Sequence, residues 1–199
     1  MEKLSKEMKE NRKPEYEINP LILSRWSPRS IKDENISNDE LMSLFEAAKW
    51  APSSRNGQPW RFIYAKKNTE QWNDFFNFLT DSNKTWCKNA QVLIVIISRK
   101  NFEQDNLFSR NHSFDTGAAW ENLALEATNK GLIAHPMGGF DVDKARKVLE
   151  IPDDYEIEIM VAIGKRGAKE NLPENLQQRE FPNLRKPLKD IIMEGKFNV

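Results

Sequence analysis

Arg25-Trp26-Ser27-Pro28-Arg29 sets two guanidinium groups four residues apart on either side of a serine hydroxyl. Forked, permanently charged donors of this kind suit a phosphate or the polar edge of a heterocycle, each charge-assisted hydrogen bond contributing about 1.5–3 kcal/mol. In isolation the same residues also make a solvated turn. A second cluster, Ala51-Pro52-Ser53-Ser54-Arg55-Asn56-Gly57-Gln58-Pro59-Trp60, is built from turn-forming residues. Its short hydrogen-bonding side chains beside Trp60 also suit a flat, polar-edged ligand. Gly138-Gly139 allows close backbone approach to a planar group, or simply a turn ahead of Asp141.

Other chemistries find little support. The two histidines, His112 and His135, and the single cysteine, Cys87, have no metal-ligand spacing. Cys87 reads as a partly buried small apolar residue, and one cysteine allows no internal disulfide. Gly-x-Ser-x-Gly, the phosphate-binding Gly-x-x-x-x-Gly-Lys-Ser/Thr loop and the dinucleotide Gly-x-Gly-x-x-Gly fingerprint are all absent. Thirty basic residues balance thirty acidic ones, so no net field favours nucleic acid or an anionic membrane. Val92 to Ile97 is the longest apolar run, far below the ~20 residues of a membrane span. Met1 to Pro14 alternates charge without an apolar signal region. The expectation is a soluble cytoplasmic protein with neither nucleic acid nor membrane as partner.

These candidates need elements to hold them. Ser37 and Glu40 form a capping box for a helix to Trp50, with Leu41, Leu44, Phe45 and Ala48 on one face and Pro52 as its stop. Arg61 to Ala65 reads as a strand, and Gln91 to Ser98 as a strand buried on both faces. Between them, Thr69 is expected to cap a helix carrying Trp72, Phe75, Phe76 and Leu79. A long helix is expected over His112 to Lys130, stopped by Gly131, then an extended piece from Leu132 to His135 that ends at Pro136. Asp141 starts a helix that ends before Pro152, and Glu156 to Gly164 reads as a central strand whose alternation is less clean. Helices and a few strands without regular βαβ units favour α+β. Residues 1–18 form a charged N-terminal segment, and 19–199 a single domain whose polar tail, about 167–199, is an extended arm over the body or over a partner subunit. Six Trp and eleven Phe suggest large aromatic contacts in a core or an interface.

Five motifs occur in an order that resembles the FMN-dependent nitroreductases. They are Arg25-x-Ser27-x-Arg29; Ala47-Ala48-x-x-Ala51-Pro52-Ser53-Ser54-x-Asn56-x-Gln58-Pro59-Trp60-x-Phe62; Asp115-x-Gly117-x-Ala119 with Asn122-Leu123; Gly138-Gly139-Phe140-Asp141 with Ile163-Gly164; and Arg185-Lys186-Pro187-Leu188. The resemblance implies a three-layer α/β/α sandwich around a mixed, mostly antiparallel sheet, in an intertwined homodimer with FMN at the subunit interface. It implies that Arg25, Ser27 and Arg185, with Lys186 a further candidate, meet the FMN phosphate and ribityl chain. Trp26 would supply backbone and packing, and Arg29 would face the pyrimidine edge. Pro52, Ser53, Ser54 and Asn56 would reach the flavin of the other subunit. Pro136, Met137, Gly138 and Gly139 would line the ring, with a backbone N–H near N5. Asn83 and Lys84 are additional candidates. The chain departs from some relatives in having Gly138 where they carry an acidic residue.

The implied activity is an NAD(P)H oxidoreductase. Hydride would pass from NADH or NADPH to flavin N5 and on to an electron-poor small molecule, a nitroaromatic or quinone, by a ping-pong route with no catalytic side chain. The alternatives are a specialised flavin enzyme of the same fold (a dehalogenase or a flavin-fragmenting enzyme), a non-catalytic flavin-binding protein, and a structural dimer without cofactor.

Overall fold

The computed structural model describes residues 4–197. In chain order the elements are α1 (Lys6–Asn11), α2 (Pro20–Ser24), β1 (Ile31–Lys32), α3 (Asn38–Lys49), β2 (Trp60–Lys66), α4 (Trp72–Phe78) and α5 (Asp81–Cys87). They continue with β3 (Val92–Arg99), α6 (His112–Asn129), β4 (Leu132–Met137), α7 (Val142–Val148), β5 (Tyr155–Arg166) and α8 (Glu174–Gln177). The sheet runs β4–β5–β3–β2, and the two-residue β1 pairs with the end of β5. The α+β class is as expected, and every pairing between these strands is antiparallel.

The apolar run of β3 makes physical sense in this sheet. Val92, Ile94 and Ile96 face a core closed by Leu41, Leu44 and Ala48 of α3 and Ala119, Leu123 and Ala127 of α6. Leu93, Val95 and Ile97 face the opposite core, closed by Phe75, Phe78, Trp86, Cys87 and Ala145 of α4, α5 and α7. Alternate side chains point to opposite faces, so a strand covered on both must be apolar throughout. Helix, sheet, helix is the three-layer arrangement. No described helix is long and apolar enough to cross a membrane.

The imperfect alternation of β5 has a local cause. Its register against β3 slips between Ile96 and Ile97, so that Glu158 is an extra residue. Ile157 therefore faces one core while Ile159 packs against the other. A bulge of this kind re-aims a side chain. Here the Glu158 carboxylate accepts hydrogen bonds from the hydroxyls of Ser98 and of Ser113, the latter at 2.7 Å.

Several boundaries differ from expectation. Thr69 does not cap α4; its hydroxyl donates to the Lys66 carbonyl, and Gln71 takes the cap position without a side-chain bond. β4 runs through Pro136 to Met137 rather than ending at His135. It pairs only with β5, and proline, lacking an N–H, is tolerated on such an edge. Gly131 stops α6 as expected, at φ +68°. α1 and α5 have no counterpart in the periodicity. Within the charged segment, Ser5 caps α1, Met8 is buried, and Glu7 takes a two-pronged bond from Arg166 of β5 at 2.6 and 2.8 Å. The C-terminal stretch buries Leu172 and Glu180 but leaves Leu184, Ile191, Ile192 and Phe197 exposed. Cys87 is fully buried, not partly, and burial pushes its thiol up to about 12.

Candidate functional site

Helix α2 ends at Ser24, and Arg25 is its C-cap, turning the chain into extended backbone. From there Trp26 to Ser30 run towards β1. This segment is fixed from the far end of the chain. The buried carboxylate of Glu180 accepts the backbone N–H groups of Arg29, at 2.8 and 3.1 Å, and of Ser30, at 2.9 Å. His135 on β4 holds the middle, its Nδ1–H donating to the Pro28 carbonyl at 2.9 Å. The ring lies 4.4 Å from that of Trp86.

Together these contacts shape a cavity of about 170 Å³ lined by Arg12, Arg25, Trp26, Ser27, Arg29, His135, Arg179, Phe181, Asn183 and Arg185. Five of the ten are arginines and none is acidic. Among the described residues Arg25 carries the one ion pair of this lining, Nε to Glu121 of α6 at 3.3 Å. Burial, then the positive charges of Arg185 and Arg25, lower the Arg12 guanidinium to about 10. Its Nε, buried, has no hydrogen-bond partner among the described residues. Like charges gathered around a hollow are stable when an anion sits among them. This donor set fits a phosphate monoester. Trp26 stands under Arg166, whose guanidinium is 4.8 Å from the ring centroid, so its side chain packs the wall.

His135 supplies shape rather than charge. Burial is the main cause holding its pKa down to about 4, with Arg29 adding to the effect. The native state therefore binds a proton less readily than the unfolded chain, and stability present above the unfolded value of 6.5 is lost as pH falls towards 4. From pH 7.5 to 5 the loss is about 2 kcal/mol. Urea unfolding at the two pH values should show that drop in the wild type and not in His135→Leu; equal drops would remove the assignment.

The second candidate group lies at the end of β4. The Gly139 carbonyl accepts from the Thr80 N–H and hydroxyl, both at 3.1 Å, and from Asn83 Nδ2 at 2.9 Å. A β-carbon on Gly139 would stand 2.9 Å from Asn83 Nδ2 and 3.0 Å from Thr80 Oγ1, so those side chains would have to shift to admit it. At Gly138 a β-carbon would meet nothing within 4 Å, which leaves the surface open. Met137 is buried in the core, so only its backbone is available for the role expected of it. Pro136 is half-buried. Asn83 positions Gly139, and Lys84 lies 3.8 Å from Asp81.

The third group, Pro52 to Asn56, stands apart from the cavity. Buried Asp115 accepts the Ser54 N–H at 2.9 Å, and the Ser53 hydroxyl accepts the Gln58 N–H at 3.1 Å. Arg55, Asn56 and Gln58 have φ of 53°, 53° and 45°. Asparagine tolerates the left-handed region, whereas Arg55 and Gln58, on either side of Asn56-Gly57, hold it at a cost in backbone energy. Pro52 and Asn56 are exposed. None of the loop lines the arginine cavity.

Arg25, Trp26, Ser27, Arg29 and Arg185 thus share one cavity within a single chain; Pro136 to Gly139 and Pro52 to Asn56 form two further groups. Lys186 lines an adjoining groove that shares Arg12, Arg25, Asn183 and Arg185 with the cavity. Sequence reasoning missed Arg12, Arg179, His135 and Glu180. Arg12, Arg179 and Glu180 come from segments with no local pattern, His135 enters the sequence reading only as a candidate metal ligand, and only folding sets these residues beside the Arg25–Arg29 segment.

The fold and this corner define a class: a helix-covered antiparallel sheet in which an N-terminal and a C-terminal segment line one arginine-rich cavity. The model of the nitroreductase family matches residues 22–82 and 66–165. The chain belongs to the nitroreductase family. It is similar to a solved structure described as an oxidoreductase containing FMN, 44% identical with a TM-score of 0.90, covering 94% of this chain and 96% of that one. It is also similar to Protein DrgA of Synechocystis, 30% identical over 171 residues, spanning 71% of this chain and 81% of DrgA. An oxygen-insensitive NADPH nitroreductase of Helicobacter acinonychis is 26% identical over 174 residues, spanning 68% of this chain and 80% of the relative.

Proposed function

We propose that this protein is an FMN-dependent oxidoreductase that draws electrons from NADH or NADPH and acts as a homodimer. The observation that carries the reading is the arginine cavity without an acidic lining residue. Similarity to a structure containing FMN supports the choice of anion. Bound flavin supplies hydride transfer from the nicotinamide to an electron-poor acceptor, such as a nitroaromatic or quinone, in two half-reactions.

The chain's own residues bind and orient. Arg25, Ser27 and Arg185 hold the phosphate, with Trp26 packing the wall behind. Arg29, its backbone pinned by Glu180, presents a fixed cation to the pyrimidine edge, where it stabilises developing negative charge without reorganising. Pro136, Met137, Gly138 and Gly139 line the ring with backbone, and the open side of Gly138 leaves it room. No side chain serves as nucleophile; the Cys87 thiol is buried and too weakly acidic. The Pro52–Asn56 loop, remote from its own cavity, serves the partner subunit's flavin. Exposed Phe114 on α6 and Leu184, Ile191, Ile192 and Phe197 supply apolar surface for that dimer.

Anaerobic NADH and NADPH should each be mixed with the purified yellow protein. Bleaching of the flavin band near the usual ~450 nm is expected with at least one donor. A yellow protein that neither donor bleaches is a flavin-sequestering protein instead. A colourless protein whose thermal midpoint ignores added FMN binds no flavin.

A further inference from the structure

The charged N-terminal segment delivers a side chain to the cavity. α1 is anchored to the body by the Glu7–Arg166 bonds and by buried Met8, and the Met8 carbonyl accepts the Arg12 N–H at 2.8 Å. The Arg12 guanidinium then crosses to the end of α2. Its Nη1 donates to the Leu23 carbonyl at 2.6 Å and to the Arg25 carbonyl at 2.7 Å. Those two bonds lock the planar group in place. Its Nε is buried and lacks a hydrogen-bond partner among the described residues, while the guanidinium side chain as a whole lines the same cavity as Arg25, Arg29, Arg179 and Arg185. A side chain serving only to cap α2 has no reason to stand among four other guanidinium groups, whose repulsion costs stability.

We propose that Arg12 is a direct ligand of the flavin's terminal phosphate, which makes the N-terminal segment part of the cofactor site. The inference rests on the flavin reading above for the identity of the anion, and on the Arg12 geometry for its place. Arg12 would then contribute to selection of phosphorylated flavin over riboflavin. It would also couple cofactor loading to the docking of α1, because one guanidinium spans α2 and the phosphate. Lysine at this position keeps the charge but lacks the fork that holds both carbonyls.

The test uses flavin-free full-length protein and fluorescence titration at fixed salt with FMN and with riboflavin. Arg12→Gln should weaken FMN binding by about tenfold or more and leave riboflavin within about twofold, with Arg12→Lys between. Equal loss for the two flavins, or none for either, overturns the proposal and leaves Arg12 a structural cap. Inorganic phosphate gives an independent readout: it should raise the thermal midpoint of the wild type more than that of Arg12→Gln or Arg12→Lys. Equal rises in all three proteins likewise overturn the role. A wild type that ignores FMN, yet shows the Arg12-dependent phosphate response, overturns the flavin reading while the anion site stands.

Discussion

Arg25→Ala lowers FMN affinity at least about tenfold, and Arg185→Ala does the same, while Lys100→Ala leaves it unchanged. A charge-assisted hydrogen bond to phosphate contributes about 1.5–3 kcal/mol, and about 1.4 kcal/mol is tenfold. Arg25 carries a further effect, because its Nε is paired with Glu121. Removing the guanidinium leaves that carboxylate unneutralised beside the cavity, where it repels the phosphate. Arg25→Ala combined with Glu121→Gln should therefore recover part of the loss. Lys100 is the control because it binds the Asp153 carbonyl and Glu156, neither of which lines the cavity. Equal dissociation constants across the wild type and the three single variants, measured by flavin fluorescence, would place the phosphate elsewhere.

Glu180→Ala costs about 2–5 kcal/mol of folding stability and weakens FMN binding as well. The carboxylate is buried and satisfies two backbone N–H groups, those of Arg29 and Ser30. Deleting it leaves both donors unpaired in a place water reaches poorly. It also releases the chain near Arg179 and Arg185 from the segment near Arg25, so two walls of the cavity separate. Glu180→Gln keeps one acceptor oxygen and should lose about half as much. Urea unfolding and FMN titration on the same samples check both effects. A stability change below about 0.5 kcal/mol, the size of a surface substitution, would show that Glu180 does not hold the two segments together.

The two predictions differ in how visible their residues are before folding. Arg25 stands in a short motif whose charge and spacing suggest an anion, and Arg185 in a basic motif of the family. Glu180 lies in a polar tail without periodicity, and its hydrogen-bond partners are some 150 residues away. Arg12 is one cation in a segment of alternating charge, where nothing local separates it from its neighbours. The helices show the same contrast. α3 was legible because its capping box and apolar spacing are local, and both are formed in the structure. α5, with only Trp86 and Cys87 buried, had no stripe to read. The interruption in β5 was visible as broken alternation, but its cause, the Glu158 bulge, depends on which residue of β3 lies opposite.

By itself, then, the sequence determined the α+β class, the doubly covered β3, the ends of α3 and α6, and the motifs that mark the family. The class and the elements follow from short-range propensity and periodicity, and the family from resemblance of the motifs in their order. The tertiary structure alone decided that Arg12, Arg25, Arg29, Arg179 and Arg185 share one hollow, that Glu180 ties the C-terminal stretch to the Arg29–Ser30 segment, and that Gly139 faces Asn83 and Thr80 while Gly138 is open. It also separated the Pro52–Asn56 loop from the cavity of its own chain. The physical reason is range. A helix or strand is set by neighbours a few residues away, whereas a binding site is set by charges and donors that only long-range packing can bring within 3 Å of one another.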